Sequence, residues 1–219
     1  MKTGNKTETE DSTASLGVSP QTMNFDKVPR AKLPTRLGEF AVYGFRNPES
    51  GEEAVALVAG DLAADGPTLV RIHSQCLTGD VFASERCDCG DQLHEAMRRI
   101  SASGRGVLVY QQQEGRGIGL LNKIHAYELQ DQGLDTVAAN IELGFEADQR
   151  EYRFPAEILK YLGATRIRLL SNNPEKVIGL EREGIQVVER VALEIPPNPS
   201  TQEYLKIKKE KLGHLLSKV

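Results

Sequence analysis

Hydrophobic and polar positions follow strand or helix periods along most of the chain. Two β-rich runs, EFAVYGFRN and EEAVALVAG, flank the turn-forming stretch PESG and predict a hairpin. The short apolar runs TLVRIHS and GVLVYQQ predict two buried strands. Further along, TRIRLLS, NPEKVIGLEREG and IQVVERV predict a strand–helix–strand unit.

Helical periodicity separates these strands. GDQLHEAMRRISASGRG predicts a helix that ends at Gly104, and EGRGIGLLNKIHAYELQDQG predicts a glycine-rich entry into a helix that ends at Gly133. FPAEILKYLG predicts a short helix with Pro155 in its first turn, and TQEYLKIKKEKLGHLL predicts a polar last helix. This alternation predicts an α/β (mixed α+β) fold with a central mixed sheet and flanking helices.

The first residues differ from the rest of the chain. Residues 1–32 are rich in Thr, Ser, Asn, Lys and Glu without periodicity, which predicts a flexible N-terminal arm before one domain at 33–219. The N-terminus has no apolar segment typical of a secretory signal, and no run approaches the ~20 apolar residues of a membrane helix. With an odd number of cysteines, these features predict a cytoplasmic protein.

Charge narrows the range of partners. The 219 residues carry a net charge of −4, so the chain lacks the basic character typical of proteins that bind nucleic-acid polymers. An anionic ligand would therefore be met by local arginines and lysines rather than by the field of the whole protein.

The three cysteines are the strongest chemical signal. Cys76, Cys87 and Cys89 lie within fourteen positions, spaced C-x10-C-x-C, among polar residues. Thiolates suit zinc, and a catalytic zinc keeps three protein ligands and one position for water. The alternative is three buried free thiols, which the charged neighbours disfavour. His73 and His94 are candidates for a fourth ligand, but neither has metal-ligand spacing with the cysteines.

A glycine-rich segment indicates phosphate binding. QQQEGRGIGLL places Gly115, Gly117 and Gly119 around Arg116 between a predicted strand and a helix, where backbone N–H groups favour anions. The alternative is a tight turn without a ligand, because the segment matches neither common phosphate-binding motif.

Two further segments are candidates for the same site. SNNPEK places Ser171 and Lys176 between a strand and a helix, where these two residues would bind phosphate. The alternative is that the Ser and Asn residues of this segment only cap the helix. Asp148 and Arg150 are two positions apart, a pattern that is also typical of a solvated surface pair. Together these patterns predict a zinc-dependent hydrolase of a phosphorylated small molecule, without identifying the substrate.

Four segments taken together resemble the GTP cyclohydrolase II family: VRIHSQCLTGDVFASERCDCGDQL, YQQQEGRGIGLLNKIHAYELQDQGLDTVAAN, LGFEADQREY and LLSNNPEK. The resemblance runs in order from about residue 34 to 216. It implies hydrolysis of GTP to formate, pyrophosphate and 2,5-diamino-6-ribosylamino-4(3H)-pyrimidinone 5′-phosphate, the first step of riboflavin biosynthesis. It also implies one Zn²⁺ per subunit, Mg²⁺ with the triphosphate, a homodimer, and a monofunctional form without a dihydroxybutanone-phosphate synthase domain.

The resemblance assigns roles position by position. Cys76, Cys87 and Cys89 match the zinc ligands. Asp148 matches a proton acceptor, Arg150 a proposed nucleophile and Tyr127 a tyrosine of the ring-opening step. The positions that match substrate-binding residues are Arg71, Ile72, His73, Ser74, Gln75, Gln92, Glu114, Gly115, Arg116, Thr136, Ser171 and Lys176.

Some of these assignments leave alternatives open. A guanidinium is protonated below pH ~12, so Arg150 would act either as a covalent nucleophile or as an electrostatic stabiliser of phosphate charge. The family usually has Glu where this chain has Gln75, and Thr where it has Ser171. Because of Gln75, one alternative function stays open: a homologue whose reaction stops at a formamidopyrimidine or that uses another purine nucleotide. A non-catalytic, nucleotide-binding regulator is the other alternative.

Overall fold

Seven strands form one mixed sheet in the computed structural model, which describes residues 1, 23–146 and 148–219. The strands are β1 (Arg30–Thr35), β2 (Gly38–Arg46), β3 (Glu53–Ala59), β4 (Thr68–Ser74), β5 (Gly106–Gln111), β6 (Arg166–Leu170) and β7 (Gln186–Val191). Their order is β1-β2-β3-β5-β4-β6-β7. The pairs β1–β2, β2–β3 and β3–β5 are antiparallel, and the pairs of β4 with β5, β4 with β6 and β6 with β7 are parallel. The mixed sheet that the sequence predicts is confirmed.

Helices connect and cover these strands. They are α1 (Leu77–Asp80), α2 (Cys89–Ala102), α3 (Leu120–Asp131), α4 (Thr136–Glu142), α5 (Arg153–Tyr161), α6 (Pro174–Arg182) and α7 (Gln202–Leu212), with a 3-10 turn at Glu114–Gly117. The predicted helices at α2, α3, α5, α6 and α7 are confirmed. The short helices α1 and α4 were not predicted. Among the described residues, no helix combines the length and the apolar character that a membrane span requires.

The sheet has an apolar layer on each face because successive side chains of a strand point to opposite sides. Along β5, Val107 and Val109 belong to one layer and Leu108 to the other. Helix α5 packs on the first layer and helix α2 on the second. Both faces of the central strands are therefore buried, which explains their continuous apolar runs.

The predicted flexible arm of residues 1–32 is wrong at its C-terminal end. The Met23 side chain is buried, and its backbone N–H donates to Glu157 Oε2 at 3.0 Å. Phe25 packs edge-on against Phe45 with ring centroids 5.1 Å apart. Strand β1 begins at Arg30, so residues 23–32 pack onto the sheet because their few apolar side chains find partners there. Residues 2–22 of the predicted arm lie outside the described residues.

Candidate functional site

The three cysteines converge at the carboxyl end of β4. Cys76 follows this strand and precedes α1, whereas Cys89 is the first residue of α2 and Cys87 lies two positions before it. The three sulfur atoms lie within 4.8 Å of one another, and Cys76 Sγ is 3.6 Å from Cys87 Sγ. Tetrahedral zinc with Zn–S bonds of ~2.3 Å would separate two sulfurs by roughly 3.8 Å. The cluster therefore has the donor atoms and the spacing that a metal ion requires.

Two glycines make room for the cluster. A Cβ atom on Gly79 would lie 3.0 Å from Cys87 Sγ and 3.2 Å from Cys76 Sγ. A Cβ atom on Gly90 would lie 2.3 Å from the Gly79 carbonyl oxygen. Because even one methyl group would crowd the sulfurs or the two backbones, α1 and α2 approach this closely only with glycine at both positions.

The two histidines considered as fourth ligands do not join the cluster. His73 Nε2 is directed to Asp80, at 3.1 Å from each carboxylate oxygen, and burial lowers its pKa. His94 is exposed on α2. Within the described part of the chain, the group that could hold a metal ion consists of the three cysteines alone.

Lys123 of α3 lies beside the sulfurs. Its Nζ donates to Cys76 Sγ at 3.1 Å, to Thr78 Oγ1 at 3.0 Å and to Glu114 Oε1 at 2.6 Å. Burial alone would lower the pKa of Lys123, but the Glu114 carboxylate and Cys76 raise it above its ordinary value. The sulfurs therefore face a fixed positive charge that offsets part of their negative charge.

Tyr127 lies one turn further along α3. Its hydroxyl is 3.2 Å from Thr78 Oγ1, which in turn is 3.7 Å from Cys76 Sγ. The Arg86 guanidinium lies over the Tyr127 ring, 4.8 Å from its centroid. Burial raises the pKa of Tyr127, so the phenol is neutral and keeps its proton.

A cationic pocket extends from the cysteines. Among the residues that the structure describes, its lining holds one carboxylate, that of Glu114, against seven basic side chains: Arg71, Arg86, Arg116, Lys123, Arg150, Lys176 and Lys208. Local cations therefore dominate this pocket although the whole chain has a net charge of −4.

Burial, together with repulsion between neighbouring cations, lowers the pKa values of two of these side chains. Burial lowers the pKa of Arg71 to about 10 although Asp88 and Cys89 oppose the shift. Burial and the neighbouring Arg71 and Arg150 lower the pKa of Lys176 well below its ordinary range. A group of crowded, desolvated cations is a favourable environment for a multiply charged anion.

The glycine-rich segment forms the turn at Glu114–Gly117. Gly115 and Arg116 both have positive φ, at 62° and 64°, and Gly117 and Gly119 follow at 96° and 86°. A non-glycine residue with positive φ is uncommon, so Arg116 is held in the pocket lining by a strained backbone.

The segment SNNPEK combines two roles. Asn173 caps α6 by accepting from the Glu175 backbone N–H at 3.0 Å, which confirms the capping alternative for this residue. The Ser171 hydroxyl bonds within the same turn, to the backbone of Asn173. Both Ser171 and Lys176 nevertheless line the pocket, and Lys176 Nζ donates to the Ile72 carbonyl at 2.8 Å.

Asp148 and Arg150 form a bidentate pair. Arg150 Nε donates to Asp148 Oδ1 at 2.7 Å, and Arg150 Nη2 donates to Asp148 Oδ2. Burial alone would lower the pKa of Arg150, but Asp148 raises it above its ordinary value. Arg150 lines the pocket and its side chain is only 11% exposed, so the alternative of a solvated surface pair is wrong for Arg150.

Nearly all the predicted site residues meet in this pocket. Those that line it are Arg71, His73, Ser74, Gln75, Cys76, Cys87, Cys89, Gln92, Glu114, Gly115, Arg116, Tyr127, Thr136, Arg150, Ser171 and Lys176. Ile72 does not line the pocket, in contrast to the prediction, because its side chain is 0% exposed in the apolar core. Side chains alternate along β4, so Arg71 and His73 face the pocket and Ile72 points to the opposite layer.

The predicted substrate-binding residues Gln92 and Glu114 bond to other groups of the protein. Gln92 accepts from Arg71 Nη2 at 2.7 Å and donates to Asp88 Oδ2 at 2.5 Å. Glu114 accepts from the Leu77 backbone N–H at 2.7 Å and from Lys123. Both side chains therefore hold neighbouring residues of the pocket in place.

Sequence reasoning missed several lining residues. Tyr204, Lys208 and His214 come from α7 and the segment after it, and Asn140 comes from α4. A signal existed for α4, because Asp135 is a good N-cap residue ahead of TVAANIE. No signal separates Lys208 from the other lysines of its helix.

Comparison with known proteins identifies the family and several relatives of this chain. The sequence model of the family GTP cyclohydrolase II matches residues 26–192. A GTP cyclohydrolase-2 of Shewanella amazonensis is 54% identical over 89% of this chain and 95% of its own length. The GTP cyclohydrolase-2 of Buchnera aphidicola is 56% identical over 87% of this chain and 98% of its own length.

A longer relative matches the same region. The riboflavin biosynthesis protein RibBA of Parabacteroides distasonis is 54% identical over 85% of this chain. The match spans only 46% of that protein, so the chain covers about half the length of relatives of this kind.

Proposed function

The chain belongs to the GTP cyclohydrolase II family of riboflavin-biosynthesis hydrolases, and from this premise we propose the reaction and the residues of its site. The proposed reaction opens the imidazole ring of GTP at C8, with release of formate and pyrophosphate. The product is 2,5-diamino-6-ribosylamino-4(3H)-pyrimidinone 5′-phosphate. The observation that carries the proposal is a cluster of three sulfurs within 4.8 Å on the wall of a pocket rich in cations.

Cys76, Cys87 and Cys89 would hold the metal, which we propose to be zinc because three thiolates suit that ion. When bound with one coordination position left for solvent, zinc lowers the pKa of a water molecule and supplies a nucleophile at neutral pH. Lys123 would offset the charge of the sulfurs from 3.1 Å. A second metal, Mg²⁺, would be held by the triphosphate oxygens and water.

Tyr127 is the candidate for proton transfer during ring opening. Its neutral phenol is linked to the cysteine cluster through Thr78. A protonated hydroxyl beside the reacting ring can donate to a nitrogen that becomes basic when the C–N bond breaks. This position supports the complete reaction over a homologue that stops at the formamidopyrimidine.

Arg150 is proposed to stabilise negative charge on the α-phosphate while pyrophosphate leaves. The carboxylate of Asp148 keeps the guanidinium protonated, and a protonated guanidinium has no lone pair for attack on phosphorus. This pairing supports electrostatic stabilisation over a covalent role. Arg71, Arg116, Ser171 and Lys176 would bind the remaining phosphate oxygens.

The remaining predicted residues would surround the nucleoside. His73, Ser74, Gln75, Gly115 and Thr136 line the same pocket and are proposed to contact or enclose the substrate. Gln92 and Glu114 would act through the residues they hold.

We further propose a homodimer. Several apolar side chains next to the pocket elements are exposed to solvent in a single chain, among them Val81, Phe82, Leu121 and Ile124. Packing a second copy against such side chains would remove their surface from water.

Incubation of the zinc-loaded protein with GTP tests the reaction, with formate and pyrophosphate assayed together. The expected result is release of both in equal amounts. A Cys87→Ser variant should lose formate release, because two sulfurs and a hydroxyl hold zinc poorly. Binding of GTP without either product would instead favour the non-catalytic regulator, and pyrophosphate without formate would favour the formamidopyrimidine homologue.

A further inference from the structure

Helix α7 and the residues after it form one wall of the pocket, with Tyr204, Lys208 and His214 in its lining. All three residues follow position 192, where the match to the family model ends. Lys208 has the most extensive connections of the three, because it reaches the turn that carries two of the cysteines.

Lys208 forms a buried ion pair with Asp88, 120 positions away in sequence. Its Nζ is 2.8 Å from Asp88 Oδ1, and the two residues are 8% and 2% exposed. Loss of either partner would leave an unpaired charge in a desolvated place, which is strongly unfavourable. The Tyr204 ring, whose centroid is 4.2 Å from Nζ, adds a cation–π contact on the ammonium group.

Asp88 lies between Cys87 and Cys89 in the position that precedes helix α2. An aspartate there commonly caps its own helix, but the Asp88 side chain makes no capping hydrogen bond. Its two oxygens bond to Lys208 and Gln92 instead. Its backbone has φ −95° and ψ 15°, a sparsely populated conformation that sets how Cys87 and Cys89 are oriented.

The same pair connects to the phosphate side of the pocket. Gln92 bonds to Asp88 through its amide nitrogen and to Arg71 through its amide oxygen. Arg71 is fixed further by donation to the Leu170 carbonyl at 2.9 Å. A continuous network therefore runs from the buried pair of Lys208 and Asp88 through the partly buried Gln92 to the buried Arg71.

We propose that Lys208 is a positioning residue of the metal site: by holding the Asp88 carboxylate it fixes the Cys87–Cys89 turn in its metal-binding geometry. The C-terminal helix thereby controls how firmly the cysteines retain their metal ion. This inference rests on the proposed function of the three cysteines, and it adds α7 to the elements that build the site.

The test measures zinc retention in the full-length protein. Zinc-loaded Lys208→Met is mixed with the chelator 4-(2-pyridylazo)resorcinol at a temperature well below the unfolding midpoint of the variant. Zinc release is followed by absorbance. We expect release to be about 10- to 100-fold faster than from the wild type, the range typical of lost partners behind metal ligands. Lys206→Met, at an exposed position of the same helix, is the matched control and should release zinc at the wild-type rate.

Further variants separate positioning from general stability. A purely structural role would lower the unfolding midpoint of Lys208→Met but leave zinc release from the folded protein unchanged, and this result would overturn the proposal. Lys208→Arg keeps the charge and should restore slow release in part.

The double variant Asp88→Asn with Lys208→Met removes both charges together. Two residues that act as one unit should give a double variant that releases zinc no faster than the more affected single variant. Multiplication of the two single effects would contradict the proposed pairing. If Lys208→Met alone folds poorly, the double variant, which leaves no unpaired charge, is compared with Asp88→Asn alone, and zinc release faster than from Asp88→Asn would contradict the proposed pairing.

Failure of the proposed role of Lys208 can be distinguished from failure of the proposed function. A wild type that retains zinc but releases no formate from GTP would contradict the proposed reaction and leave the comparison of zinc release intact. A wild type that takes up no zinc would overturn both proposals.

Discussion

At the scale of single residues, the site depends on charges that are buried together with a partner. Asp148 holds Arg150, Glu114 holds Lys123 and Asp88 holds Lys208. Each pair keeps a cation in the pocket lining at neutral pH, because the carboxylate offsets the loss of hydration. Three of the cations in the pocket lining are therefore held in place by the protein itself.

Substitution of Arg150 by Lys distinguishes its two candidate roles. A lysine keeps the positive charge but loses the bidentate contact with Asp148, so pyrophosphate release should slow by about 10- to 100-fold, not stop. Rapid-quench kinetics with GTP labelled in the α-phosphate would measure the rate and detect any nucleotidyl adduct. An adduct on Arg150 in the wild type would contradict the electrostatic role.

His214 should make stability depend on pH. Burial and the nearby cations Lys208, Arg150, Arg116 and Lys176 lower its pKa to about 3 in the folded protein. An unfolded histidine has a pKa of about 6.5, so between these values the unfolded state binds more protons and stability falls as pH decreases. We expect His214→Gln to reduce the slope of the free energy of unfolding against pH, as measured by urea unfolding between pH 4 and 7. An identical slope in wild type and variant would contradict the prediction.

At the scale of elements, the pocket is built from the ends of strands and the starts of helices. Cys76 follows β4, the Glu114–Gly117 turn follows β5 and Ser171 follows β6. These three strands are mutually parallel, so their carboxyl ends lie at one edge of the sheet. Helices α3, α4 and α7 close the pocket from the other side.

Helix α4 should depend on its N-cap. Asp135 accepts from the backbone N–H groups of Val137 and Ala138, and its other oxygen pairs with Lys211 of α7 at 2.6 Å. Asp135→Ala should therefore destabilise the protein by about 1 kcal/mol. Urea unfolding measures the change, with Asp131→Ala as the control, because this variant removes a surface ion pair with Arg86 but no helix cap. A loss as small as in the control would show that α4 does not require this cap.

At the scale of the whole molecule, the chain folds around a single sheet with two apolar layers, and the pocket lies at one edge of that sheet. Exposed apolar side chains on and beside α1 and α3 lie outside both layers. They are the reason to expect a second copy.

The homodimer predicts a particle mass of twice 24.1 kDa in light scattering. Leu121 is 78% exposed on α3, and Leu121→Glu should shift the mass toward that of one chain if this face is buried between copies. The exposed Lys209→Glu on α7 serves as a control for added negative charge. A wild-type mass of 24.1 kDa at micromolar concentration would contradict the dimer.

The amino-acid sequence by itself determines most of the elements and the cysteines that could hold a metal ion. The hairpin, the other strands except β1 and most helices follow from periodicity within windows of ten to twenty residues, and hydrophobic period is a local property. The C-x10-C-x-C spacing likewise indicates a three-sulfur site. The sequence pattern does not predict β1, and it does not predict α4 although Asp135 marks the start of this helix. Polar composition predicts an arm up to residue 32 because it hides the packing of Met23 and Phe25.

Only the tertiary structure decided which distant side chains meet. Whether Ile72 faces the pocket or the core depends on the phase of β4 in the sheet, and the apolar run of a strand buried on both faces does not reveal that phase. The pairing of Lys208 with Asp88 depends on where α7 docks after the sheet has formed. Lys206, Lys208 and Lys209 cannot be told apart by the sequence pattern, but of these three only Lys208 is buried beside a carboxylate, that of Asp88 between two of the cysteines.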